Sequence, residues 1–357
     1  MHSPALENNA LGDPADRPVE VYLPPGYDDE PDRRYPSIYV LQGYLGRLGM
    51  WRAEFPWRQV YPDQIDRLFT AGLAALGREV GPLDDGVEPG VPPPCVVVLV
   101  DAWTAVGGSQ YVDSAGTGRY GSYVCDDVVA WVDAHVRTIA APGSRAVSGK
   151  SSGGFGAMIL PMQRPDVFGA LASHAGDSLY EYCYLPSFAA VVRALRRFDG
   201  SMPAYLAELA ARPALTHPDD AELISTWGVS ACFSADPDGT PVLPFDPVTG
   251  VLDEPRWQRW LDLDPVRMVA HHTDALRGLR GIWVDAGTRD EYHLDVGGQA
   301  FLAALAGAGV TGQPSAGQPG AGPRLHSRFY EAGHANINHR YPQALAWLAG
   351  VLDQEAG

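Results

Sequence analysis

Apolar and polar positions alternate over residues 19–23 and stop at Pro24-Pro25-Gly26, which predicts a strand ended by a turn. A second apolar run, 36–41, opens into Gln42-Gly43-Tyr44-Leu45-Gly46, a strand feeding a glycine loop. Over 61–78 the residues Ile65, Leu68, Phe69, Leu73 and Leu76 fall at helical spacing. The acidic, Pro- and Gly-rich stretch that follows reads as a surface loop. Residues 95–100 are apolar without a break, the pattern of a strand buried on both faces. Tyr123, Val124, Val128, Val129, Val132 and Val136 then mark one face of a helix.

Further on, the pattern predicts a short strand at 145–148, a helix at 152–163 and a strand at 169–173. After residue 279 it resumes with a strand at 281–285, a helix near 298–305, a strand at 327–330 and a last helix at 342–352. Strands alternating with helices imply an α/β fold, a mostly parallel sheet covered on both faces. Residues 178–279 interrupt the alternation with helical and irregular acidic stretches rich in aromatics, among them Tyr180, Tyr182, Tyr184, Phe188, Trp257 and Trp260. We read this segment as a cap inserted in a single domain spanning 1–357, on the edge where the sheet binds ligands. Most of its aromatics are then packing residues, and a minority line a pocket.

Composition narrows the function. A hydrophobic share of 46% over 357 residues is enough for a full core, and a net charge of −17 opposes nucleic acid and anionic lipid as partners. A small neutral or cationic substrate fits better, and a homo-oligomer is compatible with this composition. The four cysteines, Cys95, Cys125, Cys183 and Cys232, are widely spaced and read as reduced buried thiols. The first residues carry acidic groups and no apolar stretch, so they do not resemble a secretion signal, and the expected location is cytoplasmic.

The stretch Ala146-Val-Ser-Gly-Lys-Ser-Ser-Gly-Gly154 contains Gly-Lys-Ser, the end of a phosphate-binding loop. That loop needs four residues between its glycines, whereas five separate Gly143 from Gly149, and here the strand lies between the two glycines. The same residues fit G-x-S-x-G, with Ser151 on a tight turn between a strand and a helix. A serine nucleophile needs a base, and the base needs an acid to orient it, in the chain order Ser, acid, His. Asp290 follows the strand at 281–285, with Glu291 as the adjacent alternative and Asp285 poorly placed inside the strand. His334 follows the strand at 327–330, with His339 as the alternative; His326 starts a strand and His271-His272 sit in the insertion.

The expected oxyanion donors are the backbone N–H of Ser152 and that of Tyr44 in the first glycine loop. Gln42, Tyr111 and Asp113 are candidates for substrate contact; for the last two, the alternative is a connecting loop capped by Asp113 or Ser114. Lys150, the only lysine, is expected to be structural or neutral, because neighbours on a turn point apart. No metal or organic cofactor is needed for this chemistry.

Five stretches together resemble the putative esterase family of α/β-hydrolases: Val19–Tyr27, Tyr35–Gly43, the Gly149-Lys-Ser-Ser-Gly turn, Asp285-Ala-Gly-Thr-Arg-Asp290 and Gly333-His334. That family includes feruloyl and acetyl xylan esterases, S-formylglutathione hydrolases, enterochelin esterases and mycolyltransferases. The resemblance implies a serine esterase with Ser151 as nucleophile, Asp290 as acid, His334 as base, and Tyr44 and Ser152 at the oxyanion hole. It departs from the family at Gln42, where many relatives carry His or Asp, and at Lys150, where His is commoner.

Overall fold

The computed structural model describes residues 1–54, 56, 58–312 and 322–354. Among these, nine strands occur in chain order: β1 (Val19–Tyr22), β2 (Ser37–Leu41), β3 (Val96–Val100), β4 (Asp113–Ser114), β5 (Gly118–Arg119), β6 (Arg145–Lys150), β7 (Ala170–His174), β8 (Gly281–Gly287) and β9 (Arg324–Tyr330). Seven form one sheet in the order β1-β3-β2-β6-β7-β8-β9, in which only the edge strand β1 runs antiparallel. The short β4–β5 hairpin lies apart.

The continuous apolar runs are explained by burial on both faces. In β3, Val96, Val98 and Val100 enter one core, while Val97 and Leu99 enter the other. In β2, Tyr39 and Leu41 go to the first core and Ile38 and Val40 to the second. The helices Tyr61–Ala71 and Arg340–Ala349 cover the second face; the helix Ser152–Gln163 and the insertion cover the first.

The helix expected over 61–78 stops at Ala71. Gly72 takes φ 88°, and a β-carbon there would stand 2.7 Å from the backbone of Gly90. The chain turns there into a 3-10 stretch, Leu73–Glu79, which still buries Leu73 and Leu76. The acidic loop after it is anchored rather than loose, because Asp84 is buried against Arg340 and His326.

The insertion between β7 and β8 contributes seven α-helical segments among the described residues, from Tyr180–Cys183 to Thr273–Gly278. Its aromatics join the sheet's own core: Phe233 packs on Phe155 at 5.7 Å and stacks on Tyr180 at 5.8 Å, and Trp260 is fully buried. All four cysteines are free thiols. Among the described residues, no helix is long and apolar enough to cross a membrane.

The chain steps from β2 outward to β3 and then back across β2 to β6, so the direction of winding reverses between β2 and β6. In open parallel sheets the crevice at the carboxyl ends of two such strands is where ligands bind. The glycine loop leaves β2 at that point, and the Ser151 turn leaves β6 beside it.

Candidate active site

Ser151 sits between β6 and the helix Ser152–Gln163 with φ 58° and ψ −126°, a conformation that costs a non-glycine residue energy and is held only where the surroundings demand it. Its N–H donates to the carbonyl of His174 at 3.0 Å, and its carbonyl accepts from Phe155 N–H at 2.8 Å. The flanking glycines are steric requirements. A β-carbon on Gly149 would lie 2.3 Å from Gly153 O, and one on Gly153 would lie 2.4 Å from Leu41 O. Only with both side chains absent can the strand, the helix and β2 approach closely enough to lift Ser151 above the sheet.

His334 lies past the end of β9, and its Nδ1 is 2.8 Å from Asp290 Oδ2. The Asp290 side chain is fully buried, and its second oxygen accepts from Tyr292 N–H at 2.9 Å. The Glu291 carboxylate instead accepts from the backbone N–H of His334 at 2.7 Å and so fixes the loop rather than the ring. Tyr292 packs edge-on against the imidazole at 5.0 Å. Asp285 is bound elsewhere, to His174 Nδ1 at 2.8 Å, Trp283 Nε1 at 2.8 Å and Arg340 Nε at 2.9 Å beneath the sheet's carboxyl end. His326 pairs with Asp84, and His339 bonds to Asn336 O, which leaves His334 as the histidine beside the Asp290 carboxylate.

Ser151 and His334 line one cavity of about 1110 Å³, together with Gly43, Tyr44, Lys150 and Ser152. No hydrogen bond joins the Ser151 hydroxyl to His334 among the described residues; such contacts often tighten only when substrate is bound. The β2 loop lies against the serine: a β-carbon on Gly43 would stand 3.5 Å from that of Ser151. Tyr44 is pinned there through its hydroxyl, which contacts Val106 O and lies 3.0 Å from Ile224 O, and burial pushes its phenol pKa up. Its backbone N–H has no acceptor among the described residues.

The three expected substrate contacts lie elsewhere. Gln42 is buried and spends its amide on Gly46 O at 2.6 Å; Tyr111, also buried, donates to Gln42 O at 2.6 Å and packs on the helix at Gly156. Asp113 faces outward and caps Ser122. None of the three lines the cavity. The reason is local: positive φ at both Gln110 and Tyr111 turns the chain so that Gln110 enters the cavity and Tyr111 goes into the core.

Several cavity residues escaped the sequence reading. Gln110 comes from the loop before β4, and Asp177 from the stretch just past β7. Cys183 and Glu222 come from the insertion, as do Tyr182, Tyr184 and Trp260, which belong to the insertion aromatics of which a minority was expected to line a pocket. Asp177 carried a usable signal, since it follows a parallel strand at its carboxyl end. Lys150 also lines this cavity; burial lowers its pKa, while Asp290 and Glu291 nearby pull it back up. No cluster of His, Cys, Asp and Glu able to hold a metal occurs among the described residues.

The family model described as putative esterase matches residues 10–308. The chain belongs to that family. No curated protein matches the sequence significantly. Among solved structures, a ferulic acid esterase superposes with TM-score 0.55 at 17% identity, covering 99% of this chain and 96% of the other. The fluorophosphonate-binding serine hydrolase F of Staphylococcus aureus gives 0.53 at 13% identity, covering 98% and 96%. The S-formylglutathione hydrolase of Agrobacterium tumefaciens gives 0.50 at 16%, covering 99% and 94%. At these identities the likeness establishes the α/β-hydrolase fold, and the family supports ester hydrolysis in general.

Proposed function

We propose that the protein is a serine carboxylic-ester hydrolase working through an acyl-enzyme, and the observation that carries this reading is Ser151 held at φ 58° in a cavity that also contains the His334–Asp290 pair. His334 accepts the Ser151 proton as Oγ attacks the ester carbonyl, and Asp290 holds the ring tautomer and balances the imidazolium. The tetrahedral oxyanion is met by the N–H groups of Ser152 and Tyr44. His334 then protonates the leaving alcohol, and a water, deprotonated by the same ring, releases the acid.

The substrate is an ester that fits a cavity of about 1110 Å³ walled in large part by the insertion. The test is intact-mass spectrometry of the protein mixed rapidly with a 4-nitrophenyl ester. One acyl group should appear on the native chain and none on Ser151→Ala. Turnover retained at the native rate in Ser151→Ala would overturn the acyl-enzyme reading, and an alcohol-dependent transesterified product would move the assignment to acyl transfer.

A further inference from the structure

One wall of the cavity is rich in hydrogen-bond acceptors. Asp177 is 7% exposed and lines the cavity; its Oδ2 accepts from Tyr184 OH at 2.7 Å, with Gln110 Nε2 and Ser152 Oγ each at 3.4 Å. Gln110 is 1% exposed; its amide nitrogen is used by Tyr184 and Asp177, and its Oε1 is buried with no partner among the described residues. Glu222, on the insertion helix Asp220–Phe233, lines the same cavity, and burial alone shifts its carboxyl upward. Among the described residues the Lys and Arg side chains at the cavity are Lys150, with Asp290 and Glu291 as its charged neighbours, and Arg58; the imidazoles of His293 and His334 also line it. The ring of Tyr184, packed edge-on against Trp260 at 5.4 Å, belongs to this wall, and Tyr182 also lines the cavity.

Asp177 reaches the side chain of Ser152, whose backbone N–H is the proposed oxyanion donor. An ionised carboxylate there opposes negative charge developing on the substrate, and the burial of Asp177 leaves that opposition weakly screened. The conflict disappears if the substrate itself carries a positive group between the two. An ammonium supplies three donors to a wall that offers acceptors, and aromatic rings also attract cations.

We propose that this wall is the subsite for a protonated amine, so that the substrate is an ester bearing an ammonium group near its carbonyl, held by Asp177, Gln110 Oε1 and Glu222. The substrate class rests on the reading of Ser151 as nucleophile; the subsite itself does not. Burial raises the Asp177 pKa, with His334 and the hydrogen bonds from Tyr184 and Gln110 opposing it, and a bound cation would favour the charged form.

Three matched esters test the proposal at neutral pH: methyl 3-amino-4-phenylbutanoate, its 3-hydroxy analogue, and methyl 4-phenylbutanoate. Calorimetric titration of the full-length Ser151→Ala protein reads binding without turnover. The ammonium ester should bind about 10- to 100-fold more tightly than either neutral ester, the range expected for hydrogen bonds to a charged group. Adding Asp177→Asn should shrink that ratio toward one. Glu222→Gln, at a more exposed position, should shrink it several-fold and keeps the test intact if Asp177→Asn does not fold. Equal affinity for all three, or a ratio unmoved by both variants, overturns the subsite; equal binding of the hydroxyl and ammonium esters makes it a neutral hydroxyl site instead. Native turnover should follow the same order in kcat/KM. Selective binding without any turnover would refute the hydrolase reading and leave the amine subsite standing.

Discussion

Asp290 and His334 meet at 2.8 Å, through an oxygen that is fully buried and a ring nitrogen at the edge of the cavity. The neighbouring Glu291 grips the same histidine by its backbone N–H at 2.7 Å. Two adjacent carboxylates therefore hold one residue for two purposes, one setting the ring and the other the loop. Asp290→Asn should lower kcat by about 1000- to 10,000-fold, because an amide donor favours the wrong ring tautomer. Glu291→Gln keeps an acceptor for the N–H and should cost less than about 10-fold. Steady-state kinetics on a 4-nitrophenyl ester compares them; equal losses would assign both carboxylates to the ring.

The Ser151 turn depends on glycine at position 153, where a β-carbon would press to 2.4 Å from Leu41 O. Gly153→Ala should cost at least about 2 kcal/mol, read in a chain of this length as a fall in Tm of roughly 3 °C or more. Gly278→Ala is the control, since nothing lies within 4 Å of the added carbon, and it should stay within about 0.5 kcal/mol of the native protein. Equal melting temperatures for native and Gly153→Ala would mean the strand and helix are not packed as described.

This turn was legible in the sequence because its demands are local: a strand, a glycine at each close approach, and a serine between them. Asp290 and His334 were legible for the same reason, each lying just past a strand whose apolar run marks its end. Gln110, Asp177, Tyr184 and Glu222 are brought together only by packing of the insertion, and no local pattern joins them. The two positive-φ residues Gln110 and Tyr111 send the amide to the cavity and the phenol, which was expected to contact substrate, to the core. Asp285 is the instructive counterpart: it forms a second His–Asp pair, with His174, that is buried away from the cavity.

Lys150 gives a spectroscopic handle because it is the sole lysine. Burial lowers its pKa below 10.5, against the pull of Asp290 and Glu291. After reductive methylation with labelled formaldehyde, its dimethylamine signal should titrate below that of an exposed dimethyl-lysine peptide. In Asp290→Asn, where a negative neighbour is lost, the midpoint should fall further. A midpoint equal to the peptide's would place the amine in water.

Asp84 ties the acidic loop to the last helix through Arg340 and to β9 through His326. Burial pushes its carboxyl pKa up, but the hydrogen bonds from His326 and Arg340 outweigh this and lower it from 3.8 to about 2. A group depressed in the folded state stabilises above its unfolded pKa and loses that contribution as pH falls toward the folded value. Urea titrations should therefore show stability falling from about pH 4 to 2, with a shallower slope in Asp84→Asn. Identical slopes would remove Asp84 from the acid response.

The central claim is that Ser151 is an activated nucleophile. Native protein and folded Ser151→Ala should be incubated with a fluorophosphonate and digested for peptide mass spectrometry. The account predicts one phosphonyl group per native chain, on Ser151, and none on the variant. A well-folded native protein that stays unlabelled, or one labelled at another residue, would contradict it.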